Sequence, residues 1–220
     1  MKKNLVLIVL FILPIVAYLF FASGVNSFSK LPVITTNVSE LGELKSSNDK
    51  SVKLASKITI LGFSGTDVYE KRGGYFNLSQ KIYNRYREFK DFQVVILVPI
   101  GAEKQVEVVL NKLKAVSNMS NWHFVFATPQ EIEAVYKSMK LQNPVDVSKG
   151  SNTVYIIDKE LSLRGRKGKN NKDEEEYREG YNTSMVSELH NEMTDDVRII
   201  LAEYRLALKK NNADRKKYGL

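Results

Sequence analysis

The chain reads as an α/β sandwich, a central mixed sheet flanked by helices, behind an N-terminal transmembrane helix. Three observations predict this. Apolar runs at Ile58–Phe63, Phe92–Val98 and Trp122–Phe126 alternate with helical patterns, the arrangement that gives a parallel sheet with crossover helices. A fourth run, Thr153–Asp158, is followed almost at once by Ser162–Arg166, which predicts an antiparallel pair. Finally, Asn4 to Gly24 carries no charge and follows Lys2-Lys3.

That first segment is long enough for a bilayer core, which needs about 20 apolar residues. The two lysines in front favour an N-terminus inside and the remainder outside. A cleavable signal peptide ending at Ala22-Ser23-Gly24 is the alternative. The length of the apolar run favours a retained signal-anchor. The expected organisation is therefore an anchor over 1–24, a tether over 25–30, one folded domain over 31–211 and a basic tail over 212–220.

Composition narrows the function classes. With 43% hydrophobic and 26% charged residues in 220, the chain is globular. The net charge of +8 is spread out, with no basic stripe interleaved with aromatics, so no nucleic-acid partner is expected. Proximity to anionic lipid accounts for the excess equally well. There is no cysteine, which excludes disulfides, thiolate metal sites and cysteine nucleophiles.

In chain order, Leu31–Ile34 is a first strand, held to an edge by Pro32. Glu43–Lys45 and Ser51–Leu54 read as a polar hairpin about a turn at 46–49. The strand Ile58–Phe63 stops in Ser64-Gly65-Thr66-Asp67 and feeds a helix expected over Tyr75–Phe89. Helices follow at Ala102–Val116 and from Pro129 to about Met139, the latter N-capped by Thr128 with Glu131 three residues on. Residues 167–182 are very polar and read as an exposed excursion, with Tyr177 and Tyr181 at its flank as possible partner contacts. The last helix starts near Ser184 with an apolar stripe of Val186, Leu189, Met193, Val197, Leu201, Tyr204 and Leu208, and frays beyond Asn211. Tyr155 and Tyr204 are expected in the core, and His123 as a packed or edge histidine.

This order of elements is thioredoxin-like. With an anchor in front, Ile60–Tyr69, Tyr155–Lys159 with Arg164-Gly165 after it, and Asp195–Tyr204 carry a resemblance to the SCO/SenC family. It implies a membrane-tethered, extracytoplasmic domain, with a periplasmic or outer-side location and a link to respiratory chain assembly through cytochrome c oxidase. Members carry copper on a Cys-x-x-x-Cys in the strand-to-helix loop and a histidine before the fourth strand. Those positions correspond here to Gly65, Tyr69 and Gly150, beside Lys149. None offers the soft ligand that copper prefers. The resemblance thus implies the fold and place of the family without its copper or redox chemistry. Gly150-Ser151-Asn152 also stands where classical thioredoxins have a cis-proline.

Candidate sites follow. Ser64, Thr66, Asp67, Lys71 and Arg72 place hydroxyls, backbone N–H groups and cations near a helix start, suited to an anion or a partner peptide. Met185, His190 and Met193 are the alternative, a copper site of thioether and imidazole ligands. A third reading uses the Ser64–Tyr69 loop as an active site, yet no histidine lies near it in sequence to act as base. Asp173–Glu176 lacks the alternating spacing of a calcium loop. The expected protein is non-enzymatic, binds no cofactor, and partners a membrane protein such as an oxidase subunit.

Overall fold

Alternation within the strands builds the molecule. In the computed structural model, which describes residues 10–16, 30–47, 51–144, 150–169 and 173–218, with side-chain surroundings as far as Ala207, every central strand is buried on both faces. Successive side chains of a strand point to opposite faces. Ile58 and Ile60 therefore enter one core while Leu61 and Phe63 enter another. Phe92, Val94, Ile96 and Val98 join the first, Val95 and Leu97 the second. Burying each such side chain stabilises the fold by about 1.5–3 kcal/mol.

The elements are β1 (Val33–Thr35), β2 (Ile58–Phe63), α1 (Arg72–Leu78), α2 (Asn84–Tyr86), β3 (Phe92–Pro99), α3 (Glu103–Lys114), β4 (Trp122–Ala127), α4 (Pro129–Ser138), β5 (Thr153–Ile157), β6 (Leu163–Arg164), β7 (Arg166–Lys169), β8 (Glu175–Arg178), β9 (Tyr181–Asn182), α5 (Val186–Glu188) and α6 (Thr194–Tyr218). A π-helical turn, Ser79–Tyr83, joins α1 to α2, and another, Leu189–Met193, joins α5 to α6. The sheet order is β1-β6-β5-β2-β3-β4, with β9 also on β5. Strands β2, β3 and β4 are parallel, and β5 and β6 run antiparallel. Strand β1 is an edge, as Pro32 predicts. Helices α1, α3 and α6 cover one face; α4 and the segment containing Val38, Leu41, Val52 and Leu54 cover the other. The Thr128–Glu131 capping box forms as expected.

Several expectations change. The helix expected at Tyr75 begins at Arg72, so Gly73 and Gly74 are helical, and Phe89 lies beyond its end and exposed. The polar hairpin of 43–54 reduces to single bridges, Lys45 to Ser51 and Ser46 to Val125, because the segment instead runs along β4. The excursion forms its own antiparallel pair, β7 with β8, and returns to the main sheet as β9. Tyr181 is fully buried, not a surface contact, because β9 pairs with β5 and its side chain joins the first core. The last helix continues to Tyr218 instead of fraying beyond Asn211.

Most of the 4–24 segment and of the 25–30 tether lies outside the described residues. Residues 10–16 are helical, and their side chains are exposed. Among the described residues no helix is long and apolar enough to cross a membrane.

An arginine clasp closes the β6 side. Arg164, itself buried, donates to Asp158 Oδ2 at 2.9 Å, to Glu203 Oε2 at 2.8 Å and from Nε to the Leu31 carbonyl at 2.8 Å. Arg166 donates to Asp196 at 2.7 Å and Glu176 at 3.1 Å, and Arg178 meets Glu188 at 2.6 Å and Glu192 at 2.8 Å. These pairs tie the β7–β8 hairpin to the last helix. Tyr181 donates its hydroxyl to Asp196 within the same group.

Candidate functional site

The loop after β2 sits where parallel strands end and backbone groups converge. The Ser64 N–H donates to the Leu97 carbonyl at 3.0 Å, adding one rung to the β2–β3 ladder. Its hydroxyl is buried, and its one proton is shared between the carbonyls of Gly65 at 2.8 Å and Leu97 at 3.2 Å. Ser64 is thus spent on the backbone, not exposed as a ligand contact or nucleophile. Thr66 and Asp67 are exposed, and Asp67 accepts the Glu70 N–H at 3.1 Å.

Gly65 and Gly150 meet. Both have positive φ, +63° and +71°, and a Cβ on Gly150 would overlap the Ser64 carbonyl. The Ser151 N–H donates to the Phe63 carbonyl at 2.9 Å, locking the two segments together. Two of the three positions that the resemblance singled out therefore adjoin. Lys149 lies outside the described residues.

Tyr69, the third, stands at the mouth of this loop. Its N–H donates to Gln105 Oε1 at 3.1 Å, and Gln105 Nε2 donates to the Thr66 carbonyl at 3.2 Å. The Arg72 guanidinium lies 4.2 Å from its ring centre and donates to its carbonyl at 2.9 Å. Lys112 Nζ donates to its hydroxyl at 3.2 Å. The hydrogen bond and charge of Lys112, then the charge of Arg72, hold the phenol below its usual value. Gln105 and Lys112 escaped the sequence reading. They lie seven residues apart on one side of α3, but nothing in sequence says which polar residues of that helix meet the loop.

Lys71 precedes α1 without a side-chain cap, and is half-buried like Arg72. The structure brings Gly65, Gly150, Thr66, Tyr69 and Arg72 to one pole, with Asp67 and Lys71 beside them. The alternative candidates Met185, His190 and Met193 differ in their surroundings. Met193 is fully buried, whereas Met185 is 52% exposed and His190 faces solvent. No cluster of three or more His, Asp or Glu suited to a metal occurs among the described residues. Tyr155 is buried as expected, Tyr204 is half-buried, and His123 lies half-buried on the edge strand β4.

No protein-family model and no curated protein matches the chain. Solved structures do. A protein described as a protein disulfide isomerase, from Bacteroides thetaiotaomicron, superposes with a TM-score of 0.52 at 12% identity, covering 79% of this chain and 95% of its own. BsSco, a member of the Sco family of cytochrome c oxidase assembly proteins, gives a TM-score of 0.52 at 14% identity, covering 78% and 98%. The chain has an SCO-like thioredoxin fold.

Proposed function

We propose that this chain is a membrane-anchored, extracytoplasmic, SCO-like binding or assembly factor that performs no redox or copper chemistry. Its domain would lie on the periplasmic or outer side of the cytoplasmic membrane, held by a single N-terminal helix. Its partner would be a membrane protein, and the Sco membership of BsSco points to an oxidase subunit. One observation carries the reading: the pole where the SCO/SenC resemblance implies thiols presents Tyr69 between Arg72 and Lys112. Thiol exchange needs cysteine, and the chain has none. An aromatic ring flanked by cations suits recognition of an acidic peptide segment, since aromatic and arginine side chains dominate protein contacts.

A photo-crosslinking residue at Thr66, in the full chain within membranes, tests this. The expected product joins the chain to an oxidase subunit, and Arg72→Glu with Lys112→Glu reduces its yield. Crosslinks confined to other proteins would sink the oxidase link. Crosslinking unaffected by both charge reversals would sink the assigned surface.

A further inference from the structure

An open cleft of about 270 Å³ lies at the start of β2, the end of the sheet opposite the 64–69 loop. Its floor is apolar, with buried Ile58 and Leu201, and Phe89 stands at its wall 43% exposed. Lys90, Lys159 and Arg205 are set against a single carboxylate, Asp91. Lys159 Nζ is 2.6 Å from that carboxylate and neutralises it, leaving the lining net cationic. An apolar floor under a cationic rim suits a ligand with an anionic head and a hydrocarbon body. A small free anion would use the rim alone.

Chain path argues for the occupant. Arg164 joins the Leu31 carbonyl to Glu203, the neighbour of Tyr204 in the cleft wall. The chain thus enters the fold one side chain away from the cleft. Residues 25–30 can reach at most about 20 Å, so an anchor over 1–24 would keep this face near the bilayer. Helix α6 passes the cleft at Arg205 and runs on to Tyr218, through a sequence that contains Lys209, Lys210, Arg215, Lys216 and Lys217. We propose that the cleft seats an anionic phospholipid of the membrane that the N-terminal segment enters, docking the domain with its 64–69 pole away from the surface. This rests on the anchor reading given above.

The test uses the full chain as Phe89→Trp in vesicles whose acyl chains are brominated. The native Trp122 is buried and supplies a constant background that also reports folding. In phosphatidylglycerol vesicles Phe89→Trp should be quenched, and in phosphatidylcholine it should not. Adding Lys90→Gln and Arg205→Gln, both exposed positions, should lower the ratio of quenched to unquenched protein by roughly thirtyfold, given the worth of each cation near an anionic surface. Unquenched emission in phosphatidylglycerol overturns the proposal, as does equal quenching in phosphatidylcholine or in the Gln variant. Alkaline extraction of the same vesicles reads the anchor separately. Protein released by it contradicts the anchor, whereas quenching alone decides the cleft.

Discussion

The loop around Tyr69 and the clasp around Tyr181 both set a tyrosine among charges, and they use those charges in opposite ways. Tyr69 is exposed, with cations at its ring and hydroxyl. Tyr181 is fully buried, with its hydroxyl on Asp196 and Arg166 on the same carboxylate. Water screens the first group, so its charges contribute little to stability and remain available to a partner. In the second group the Asp196 carboxylate has lost its water, so it depends on the half-buried Arg166 and on the Tyr181 hydroxyl. Burial, more than residue type, separates a recognition surface from a structural joint.

Breaking the clasp should have the largest effect. Arg164→Ala leaves Asp158 buried without its cation and should cost about 3–5 kcal/mol, read as a lower urea midpoint. A change near that size would bring the two regions into conflict if it arose from Lys112→Ala, which should not produce one. Next is Gly150→Ala, which tests the backbone contact under the loop. Left-handed strain and overlap with the Ser64 carbonyl should cost at least about 2 kcal/mol in thermal unfolding.

Alkaline titration sharpens the comparison further. Burial, followed by the Asp196 carboxylate, raises the Tyr181 phenol far above its ordinary value, and burial raises Tyr75 and Tyr155 as well. Burial and the hydrogen bond to Glu179 push Tyr177 up to about 12. The unfolded chain releases these protons near about pH 10, while the folded chain keeps them. Stability from these groups is therefore intact below that pH and lost as pH rises through the folded values. Denaturant midpoints measured across this range should fall. Smallest of all is Tyr69→Phe, expected to change stability by less than about 0.5 kcal/mol. It should remove a tyrosinate absorbance that appears below the ordinary range of a phenol, because Lys112 and then Arg72 lower this one.

The central strands were legible because near-continuous apolarity over five to eight residues fits a doubly buried strand. Polar members of those strands are satisfied inside, as where Gln93 donates to Thr59 Oγ1 at 2.8 Å. The position of the 64–69 loop was legible too, since it follows from strand order alone. The clasp was not. Lys167 to Asn182 has the composition of a solvated loop, yet strand pairing of β7 with β8 and of β9 with β5, and the pairing of Arg166 and Arg178 with α6 and its approach, make it structure. Glu179 likewise looks like surface charge, yet it is buried and accepts the Gln142 N–H at 2.7 Å and the Tyr177 hydroxyl at 2.7 Å. At the site, Gln105 and Lys112 reach Tyr69 from α3, some forty residues away, and local patterns do not encode that encounter.

The two π-helical turns, Ser79–Tyr83 and Leu189–Met193, pack against each other on one face of the sheet. In the second, the Thr194 hydroxyl donates back five residues to the Leu189 carbonyl at 2.9 Å. Each turn accommodates one residue more than an α-helix would count. Deleting one residue inside either turn would leave a continuous α-helix whose flanking apolar stripes still face the sheet. The same deletion in α3 would rotate the rest of that helix by about 100° and turn part of its buried side to solvent. Length variants of this chain should therefore gather at these two turns, and a sequence alignment that keeps both helices ungapped would misplace the residues before them.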